Sequence, residues 1–370
     1  MFAHPLPHPE FWRGKRVFLT GHTGFVGGWM ALWLHHLGAR VVGYALEPET
    51  EPNLYDLTGL GELIERSHIA DITDGPALIN AMREAAPEIA IHMAAQPLVR
   101  RSYRQPVETF ASNVMGTVHF MEALRQTPSL GAAVIITSDK CYAPSSEIWG
   151  HRETDPMGGH DPYSASKGCA ELVVSSWRDS YVDQSAAIAS ARAGNIIGGG
   201  DWSEDRLLPD LIRAAVAGAQ LEIRSPNAIR PWQHVLDANR GYLLLAEKLY
   251  NDPNGGWDCG WNMGPGPEHA WTVEKVMAEA RPHWESPIDV AFSAGPHPHE
   301  NPRLGLDSTK AQSLLHWRPA FSIPESIEAT MAWYRAWATD EEADMRAFSL
   351  EQIELYAQHC APHREDGGEA

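Results

Sequence analysis

The sequence predicts an α/β fold, with a doubly wound parallel sheet and a smaller, mixed α/β part. Short apolar runs alternate with segments of helical periodicity through the first half of the chain. This alternation is typical of a parallel sheet covered by helices on both faces. After about Gly194 the pattern changes to short strands and proline-rich turns. A second, smaller part is therefore predicted to lie over the edge of the sheet.

The elements can be placed along the chain from these patterns. The strands predicted for the sheet span residues 17–20, 40–45, 89–93 and 133–137. Helices are predicted over residues 27–37, 75–85 and 112–125, and in the second part over residues 209–217. Substrates of doubly wound proteins lie beyond the carboxyl ends of the strands. The smaller part is thus expected to cover the substrate.

Composition and charge exclude several classes of protein. The 370 residues are 44% hydrophobic, which is enough for a large buried core. A net charge of −19 argues against a nucleic-acid partner. The first ten residues lack the pattern of a signal peptide, and the apolar stretch 25–46 is broken by His35, His36 and Arg40. No membrane span is predicted, and four cysteines without a Cys-x-x-Cys pair favour a cytoplasmic setting.

A glycine triplet lies where the first strand turns into the first helix. Gly21, Gly24 and Gly27 alternate here with Thr23 and Phe25. Residues without a Cβ let the backbone approach a pyrophosphate, and the helix N-terminus offers free N–H groups to its oxygens. A glycine-rich turn without a ligand is the alternative. The strand before and the helix after favour a dinucleotide site in a Rossmann-like domain.

An acidic residue follows the second predicted strand. Glu47 lies about 20 residues beyond Gly27, where a carboxylate can accept hydrogen bonds from ribose hydroxyls and would repel a 2′-phosphate. This position favours NAD over NADP. Glu49 and Glu51 compete for the same role.

Two other segments complete the predicted cofactor site and its domain. Contact with adenine is predicted for Asp71 and Ile72, and the small residues Ala94 and Ala95 suit a chain that passes under the cofactor. The NAD-binding domain is expected to span residues 11–193, with a returning segment near 227–262. Residues 194–226 and 263–340 would form the substrate domain, and residues 341–370 a C-terminal helix and tail.

A tyrosine and a lysine mark the predicted reacting centre. Tyr163 and Lys167 lie one helical turn apart and therefore share a face. A nearby ammonium, together with the positive nicotinamide ring, would lower the pKa of the phenol and make it a better base. Ser138, after the strand 133–137, could share a hydrogen bond with the sugar hydroxyl. The alternative is a packed helix with one surface lysine.

The next two residues point to a reaction beyond hydride transfer. Asp139 and Lys140 directly follow Ser138. Once a carbinol is oxidised to a ketone, a base can take the proton from the neighbouring carbon while an acid protonates a hydroxyl one carbon further on. This route requires a raised pKa at Asp139 and a lowered pKa at Lys140. A plain ion pair between the two is the alternative.

Long strings of the sequence resemble a known family. They span residues 11–25, 92–100, 137–142, 158–171, 192–202, 229–235 and 297–300. On these strings the chain resembles the extended short-chain dehydrogenase/reductases, and within them the CDP-glucose 4,6-dehydratases. The resemblance covers residues 11 to about 337. It implies dehydration of CDP-glucose to CDP-4-keto-6-deoxyglucose with bound NAD, in deoxysugar biosynthesis such as that of lipopolysaccharide O-antigen.

The resemblance also implies roles for individual residues. Tyr163 would take the proton from the 4-hydroxyl, Lys167 would hold the cofactor ribose, and Asp139 would be the acid at the 6-hydroxyl. Lys140 stands where the related dTDP-glucose enzymes carry glutamate, and would be the base at carbon 5. Contacts with the nucleotide sugar are implied for Asn195, Arg206, Arg230 and His299. Arginine suits a diphosphate because the two groups form forked hydrogen bonds.

The sequence also allows alternative functions, and each predicts a different set of functional residues. A sugar-nucleotide 4-epimerase or reductase on the same scaffold would share Ser138, Tyr163 and Lys167, but would not use Asp139 and Lys140. A cofactor-sensing binding protein would be expected to lose Tyr163 or Lys167. No metal is predicted, because the ligand-like segment 297–300 has no further cluster to complete it. A homodimer or a dimer of dimers is implied, with the apolar stripes 114–124 and 172–177 as candidate surfaces or as core.

Overall fold

A parallel sheet of seven strands forms the centre of the part of the chain that the computed structural model describes. The model describes residues 4–145, 149–181, 186–223, 225–284, 287–292, 305–340 and 342–361. The sheet strands are β1 (Arg16–Thr20), β2 (Arg40–Ala45), β3 (Arg66–Ile69), β4 (Ile89–His92), β5 (Ala132–Ile136), β6 (Ala187–Arg192) and β11 (Gly260–Asn262). Their order is β11-β6-β5-β4-β1-β2-β3. The predicted doubly wound fold is confirmed.

The direction of winding reverses at β1. This strand pairs in parallel with β2 on one side and with β4 on the other. Connections on either side of such a point leave a crevice at the carboxyl ends of the strands, where ligands of α/β sheets bind. The sheet therefore places the glycine turn after β1 beside the end of β4.

Alternate residues of each central strand face opposite layers of helices. Val17 and Leu19 of β1 belong to one buried cluster, whereas Phe18 between them belongs to another. Side chains of a strand alternate between faces, so both faces of this strand are covered by core. Burial on both sides explains why its three central residues, Val17 to Leu19, are all apolar.

The helices flank this sheet and build the smaller part. In the first half of the chain they are α1 (Pro9–Trp12), α2 (Phe25–His36), α3 (Leu54–Leu57), α4 (Leu60–Leu63), α5 (Gly75–Ala85), α6 (Val99–Arg104), α7 (Pro106–Phe110), α8 (Gly116–Arg125) and α9 (Pro162–Ser180). The later helices are α10 (Leu207–Ala217), α11 (Val235–Asn251), α12 (Val273–Ala280), α13 (Thr309–Leu314), α14 (Ile323–Thr339) and α15 (Met345–Cys360).

Three small two-stranded sheets make up the rest of the strand structure described. They pair β7 (Ile196–Ile197) with β10 (Gln233–His234), β8 (Leu221–Ile223) with β13 (Val290–Phe292), and β9 (Ile229–Pro231) with β12 (Ala270–Thr272). Between β10 and β12 the chain returns to the large sheet, because α11 packs on β5 and β6, and β11 pairs in parallel with β6. The smaller part is thus built from segments on both sides of this return.

Most predicted elements lie within two residues of the observed ones, and the differences have physical reasons. The predicted helix 112–125 begins with a π-helical turn at Ala111–Met115 that continues α7 into α8. The strands β3, β6 and β11 were absent from the prediction. The sequence of β6 is rich in alanine and serine, and β3 carries Arg66 and His68 at the sheet edge. Such residues are weak strand formers, and pairing with a neighbour decides their conformation.

The membrane prediction can be compared with the helices. Within the described ranges, no helix combines the length and the apolar character that a bilayer crossing requires. The predicted tail beyond Ala361 lies outside the described residues.

Candidate active site

The turn between β1 and α2 is shaped by its glycines. Gly21 has a φ of +77°, and a Cβ there would lie 2.8 Å from the backbone nitrogen of Ala94. A Cβ at Gly27 would overlap the carbonyl oxygen of Gly21. No side chain caps the N-terminus of α2, so its first backbone N–H groups are available to a phosphate. The turn fits the pyrophosphate of a dinucleotide.

A cleft of about 1310 Å³ opens over this turn. Typical small-molecule sites measure about 300–1,000 Å³, so the cleft has room for an extended dinucleotide. It is lined by every residue predicted from the sequence to surround the cofactor outside the reacting centre: Gly21, Thr23, Gly24, Phe25, Gly27, Glu47, Asp71, Ile72, Ala94 and Ala95.

Glu47 lies at the end of β2, on the wall of the cleft. The hydroxyl of Thr23 donates a hydrogen bond of 2.8 Å to the carbonyl of Leu46, which holds the glycine turn against this end of the strand. The competing carboxylate of Glu49 is engaged by Arg101, at 2.6 Å. Glu47 makes no ion pair within the described part of the chain, so its carboxylate remains available to ribose hydroxyls.

Hydrogen bonds hold the floor of the cleft in place. The backbone nitrogen of Ala94 donates to the hydroxyl of Thr20 at 3.1 Å, which ties the end of β4 to the end of β1. Asn113, in the π-helical turn, accepts from the backbone nitrogen of Gln96 at 2.8 Å and donates to the hydroxyl of Ser166 at 2.9 Å. The floor is thereby joined to α9, the helix that carries the predicted base.

The structure brings the five predicted catalytic residues to one place beside the cleft. β5 leads into Ser138, whose hydroxyl donates to Asp139 at 3.0 Å and accepts from the backbone nitrogen of Lys140 at 3.2 Å. The same hydroxyl is hydrogen-bonded to the phenol of Tyr163, in the first turn of α9. Lys167 follows one turn later and donates to the carbonyl of Ile136, at 3.5 Å.

The protein's own groups do not lower the pKa of the tyrosine. Burial raises the pKa of Tyr163 to about 12, and the hydrogen bond from Ser138 and the charge of Arg206 offset only part of that rise. Burial also lowers the pKa of Lys167, to about 8. Desolvation disfavours both charged forms. The positive nicotinamide ring is the remaining charge that would lower the pKa of Tyr163.

Burial shifts the acidity of Asp139 in the direction that an acid catalyst needs. Its side chain is buried, and burial raises its pKa despite the opposing charges of Lys140 and Arg230 and a hydrogen bond from Ser138. The raised pKa expected from the sequence is confirmed in direction. Lys140 is half-buried, and its charge acts on Asp139, so the ion-pair alternative also has a geometric basis.

A second cavity adjoins the first and contains the predicted substrate residues. It measures about 240 Å³. Its lining includes Lys140, Asn195, Arg206 and Arg230, apolar residues of α10 and β8, and the acidic residues Asp201, Asp205, Asp210 and Glu222. Arg206 also lines the larger cleft, so the two spaces meet at this residue. The arrangement places two arginines where a diphosphate could lie, next to the buried acid.

Two predictions fall on residues outside the described ranges. His299, proposed as a substrate contact, lies there, and so does the ligand-like segment 297–300. Within the described ranges, no group of three or more His, Cys, Asp or Glu side chains could hold a metal ion.

Three residues that shape this site were not predicted from the sequence. Glu171 and Arg192 form a buried ion pair, at 2.7 Å. The pair lies behind residues 138–141, the turn after β5 that is called the catalytic turn below. Gly194 packs on the carboxyl group of Asp139, where a Cβ would overlap it. One signal was present, because Glu171 lies one helical turn beyond Lys167 on the face shared with Tyr163.

Comparison with known proteins identifies the family of the chain. Residues 17–264 match the model of the NAD dependent epimerase/dehydratase family. The chain belongs to this family. Its cofactor is NAD, which agrees with the glycine turn and the cleft described above.

Curated relatives include enzymes of nucleotide-sugar metabolism. CDP-glucose 4,6-dehydratase of Salmonella typhimurium is 48% identical over 353 residues, covering 94% of this chain and 97% of that protein. dTDP-glucose 4,6-dehydratase of Xanthomonas campestris is 26% identical over 337 residues, covering 85% of this chain and 92% of that protein.

Solved structures with the same fold are more distant in sequence. Epimerase Mth375 of Methanothermobacter thermautotrophicus superposes with a TM-score of 0.77 at 22% identity, covering 94% of this chain and 96% of that one. A double mutant of DesIV, a dTDP-glucose 4,6-dehydratase of Streptomyces venezuelae, superposes with a TM-score of 0.72 at 21% identity, covering 87% of this chain and 97% of that one. These similarities support the fold.

Proposed function

We propose that the chain is a lyase that removes water from CDP-D-glucose and gives CDP-4-keto-6-deoxy-D-glucose. The choice of cytidine rests on the relative that is 48% identical. The choice of dehydration rests on one observation in the structure. A buried carboxyl with a raised pKa, that of Asp139, lies one hydrogen bond from the serine that also bonds Tyr163.

The reaction begins at carbon 4 of the sugar. Tyr163 takes the proton of the 4-hydroxyl, and Ser138 orients that hydroxyl by sharing a hydrogen bond with it. Lys167 holds the cofactor ribose and contributes positive charge that favours the tyrosinate. NAD, when bound, accepts the hydride of carbon 4 and later returns it to carbon 6.

Elimination of water then needs an acid and a base on neighbouring carbons. Asp139 gives its proton to the 6-hydroxyl, and burial favours the protonated carboxyl by raising its pKa. Lys140 takes the proton of carbon 5, which the ketone at carbon 4 has made acidic. Both residues belong to one short turn after β5, so one can serve carbon 5 of the ring and the other the hydroxyl on the neighbouring, exocyclic carbon 6.

The substrate is held by its nucleotide diphosphate. Asn195, Arg206 and Arg230 line the smaller cavity and bind the phosphates with amide and guanidinium hydrogen bonds. His299 is a fourth proposed contact. The charges of the two arginines also explain how a chain with a net charge of −19 accepts an anionic substrate.

The organisation of the chain follows from these assignments. Residues 11–193, with the returning segment near 227–262, form the NAD-binding domain. Residues 194–226 and 263–340 form the substrate domain, and residues 341–370 a C-terminal helix and tail. The return of the chain through α11 and β11 supports this division, because both elements pack on the large sheet.

We also propose a homodimer, or a dimer of dimers, in the cytoplasm. In the predicted stripe 114–124, Phe120, Met121 and Leu124 are core residues. Val107 of α7 and Leu172 of α9 instead expose large apolar side chains, and these two helices pack side by side. All four cysteines are free, which suits a reducing compartment. The keto sugar would supply deoxysugar biosynthesis, including that of lipopolysaccharide O-antigen.

The proposal is tested by product mass. The chain with NAD is incubated with CDP-glucose, and separately with the dTDP-, UDP- and GDP-sugars, without added reductant. The expected product is CDP-linked and lighter than its substrate by one water. An unchanged mass with an inverted hydroxyl would indicate an epimerase instead, and stoichiometric consumption of NADH a reductase.

Two variants serve as matched controls for the chemistry. Tyr163→Phe is expected to stop reduction of the cofactor, because no base remains for the 4-hydroxyl. Asp139→Asn is expected to reduce the cofactor but to retain 4-keto sugar and NADH, because the 6-hydroxyl is no longer protonated. Wild-type water loss in Asp139→Asn would remove that residue from the mechanism.

A further inference from the structure

A buried ion pair lies directly behind the catalytic turn. The guanidinium of Arg192, on β6, and the carboxylate of Glu171, on α9, are 2.7 Å apart, and their side chains are only 5% and 3% exposed. Charges are rarely buried to this extent unless each is paired and hydrogen-bonded. The steps proposed for the reaction assign no role to either residue.

Both oxygens of this carboxylate accept hydrogen bonds. One oxygen of Glu171 accepts from the hydroxyl of Thr137, the residue before Ser138. The other accepts from the hydroxyl of Ser190 and from Arg192, both at 2.7 Å. The carboxylate therefore joins α9 to the ends of β5 and β6.

The guanidinium extends the network to the edge of the sheet. Arg192 donates to the phenol oxygen of Tyr142 at 2.6 Å, and that phenol donates to the side chain of Asn262, also at 2.6 Å. A Cβ at Gly260 would overlap the guanidinium, so this glycine leaves room for the charge. The network holds both ends of the turn that contains Ser138, since Thr137 precedes it and Tyr142 follows it.

The carboxylate stays ionised although it is buried. Burial would raise the pKa of Glu171, but the hydrogen bond and the charge of Arg192 outweigh it, so its pKa lies below the ordinary value. Glu171 therefore provides a full negative charge inside the protein at neutral pH.

Lys167 is the nearest functional cation to this charge along the helix. Glu171 lies one turn beyond it on α9, and residues at this spacing are neighbours. The other titratable groups around the ammonium carry no charge at neutral pH. Burial lowers the pKa of His92 on β4 to about 3 and raises the pKa of Cys141, in the catalytic turn, well above its usual range. Burial lowers the pKa of Lys167, and Cys141 and Glu171 both act to raise it. Because the thiol of Cys141 is neutral at neutral pH, Glu171 is the one of these two groups that carries a negative charge.

We propose that Glu171, anchored by Arg192, is a positioning residue that keeps Lys167 in its ammonium form. It acts through Lys167 and touches neither substrate nor cofactor. The proposal rests on the proposed function only in so far as the ammonium assists Tyr163. An enzyme whose tyrosine is buried this deeply needs the ammonium of Lys167 to stay charged. The carboxylate of Glu171 supplies the negative charge that favours this protonated state.

The test measures the protonation of Lys167 directly. Wild-type and Glu171→Gln proteins, both free of NAD, are labelled isotopically at lysine, and the side-chain resonance of Lys167 is followed by NMR across pH. The wild-type lysine is expected to titrate near pH 8. In Glu171→Gln the midpoint should fall by about one pH unit, the lower end of the effect of a close opposite charge.

A matched variant separates charge from structure. Thr137→Val removes a hydrogen bond to the same carboxylate but leaves its charge in place, so the midpoint of Lys167 should stay at the wild-type value. An equal shift in both variants, or no shift in Glu171→Gln, would overturn the proposal. Should Glu171→Gln fail to fold, Glu171→Gln combined with Arg192→Met removes both charges at once; the midpoint should again fall, but by less, because the repulsion from Arg192 is lost as well, and a midpoint that does not fall would overturn the proposal.

Kinetics provide the second readout. The alkaline limb of the pH profile for turnover should move to lower pH in Glu171→Gln by the same amount as the NMR midpoint, and should not move in Thr137→Val. The titration uses neither substrate nor cofactor. A failed product assay would therefore reject the proposed function and, with it, the kinetic readout, but the titration would still test the role of Glu171; a failed titration would reject that role alone.

Discussion

Asp139 is a carboxylic acid whose surroundings decide its chemistry. Its side chain is 2% exposed, one oxygen is bonded to Ser138, and the other has no hydrogen-bond partner within the described ranges. Gly194 packs against the carboxyl group so closely that any side chain there would displace it. A buried oxygen without a partner is costly in a folded protein. The next residue, Lys140, lines the smaller cavity, so this oxygen lies close to the proposed substrate site.

The same burial makes stability depend on pH at this residue. The pKa of Asp139 is raised in the folded state above its ordinary value of 3.8, so the folded protein binds this proton more tightly than the unfolded chain. The resulting stability is fully present below pH 3.8 and is lost as pH rises through the folded pKa. Asp139→Asn does not titrate. Its thermal stability relative to wild type is therefore expected to improve as pH rises from about 4 to about 8.

Melting temperatures of the two NAD-free proteins across that range provide the measurement. A difference in melting temperature that stays constant with pH would contradict the raised pKa. The slope is the informative quantity, since the amide adds its own hydrogen-bonding requirements at every pH.

At the scale of single elements, α9 carries two of the five proposed catalytic residues, Tyr163 and Lys167. Ser166 and Glu171 also belong to this helix, and all four side chains are buried. The helix begins at Pro162, whose fixed φ suits the first helical position. Asp161 caps it by accepting from the backbone nitrogen of Ser164 at 2.9 Å. The base is thus held in the first turn, where a helix frays unless it is capped.

Loss of this cap should weaken both the helix and the reaction. Asp161→Ala is expected to lower the free energy of unfolding by about 1 kcal/mol, the usual cost of removing an N-cap. Turnover should fall as well, because the first turn no longer holds Tyr163 in register with Ser138. Chemical denaturation and steady-state kinetics measure the two effects.

Asp161→Asn is the matched control for that variant. An asparagine side chain also caps helices, so this protein should keep most of its stability and turnover. Equal losses of turnover in the alanine and asparagine variants would indicate that the charge of Asp161, and not its cap, matters to the base.

At the scale of the whole molecule, the winding of the sheet brings distant segments to one edge. The cofactor cleft is assembled from the turns after β1, β2 and β4, and the catalytic turn follows β5. The C-terminal helix α15 packs on α2, so it supports the helix that follows the glycine turn. Arg240 of α11 joins these layers through hydrogen bonds to Tyr356 at 2.8 Å and to the carbonyl of Pro5 at 2.9 Å.

The proposed dimer makes a prediction at this scale. Leu172 is 60% exposed and Val107 is 74% exposed on neighbouring helices, an apolar surface that a second copy would cover. Leu172→Glu is expected to convert the dimer to a monomer, because the interface would bury an unpaired charge. Sedimentation velocity at micromolar protein measures the change.

A distant exposed leucine provides the control. Leu355 of α15 is 54% exposed on another helix, and Leu355→Glu should remain a dimer. A wild-type protein that sediments as a monomer, or a Leu172→Glu protein that keeps the wild-type mass, would contradict the assignment of this surface.

Local pattern was sufficient for much of the fold and for the positions of the site residues. The strand 40–45 and the helix 75–85 have the predicted bounds, because apolar periodicity reflects burial directly. The glycine turn and the spacing of Tyr163 and Lys167 are equally local, since each depends on residues only a few positions apart. Strands such as β6 escaped the prediction because their neighbours, and not their own residues, define them.

The tertiary structure decided the charges. Whether Tyr163, Asp139 and Lys167 are protonated depends on how completely other segments exclude water from them, and those segments lie far away in the chain. The partnership of Glu171 with Arg192 likewise joins a helix to a strand across 21 residues. Residue types and spacing come from the sequence itself, whereas desolvation and ion pairing arise only when the packed layers enclose them.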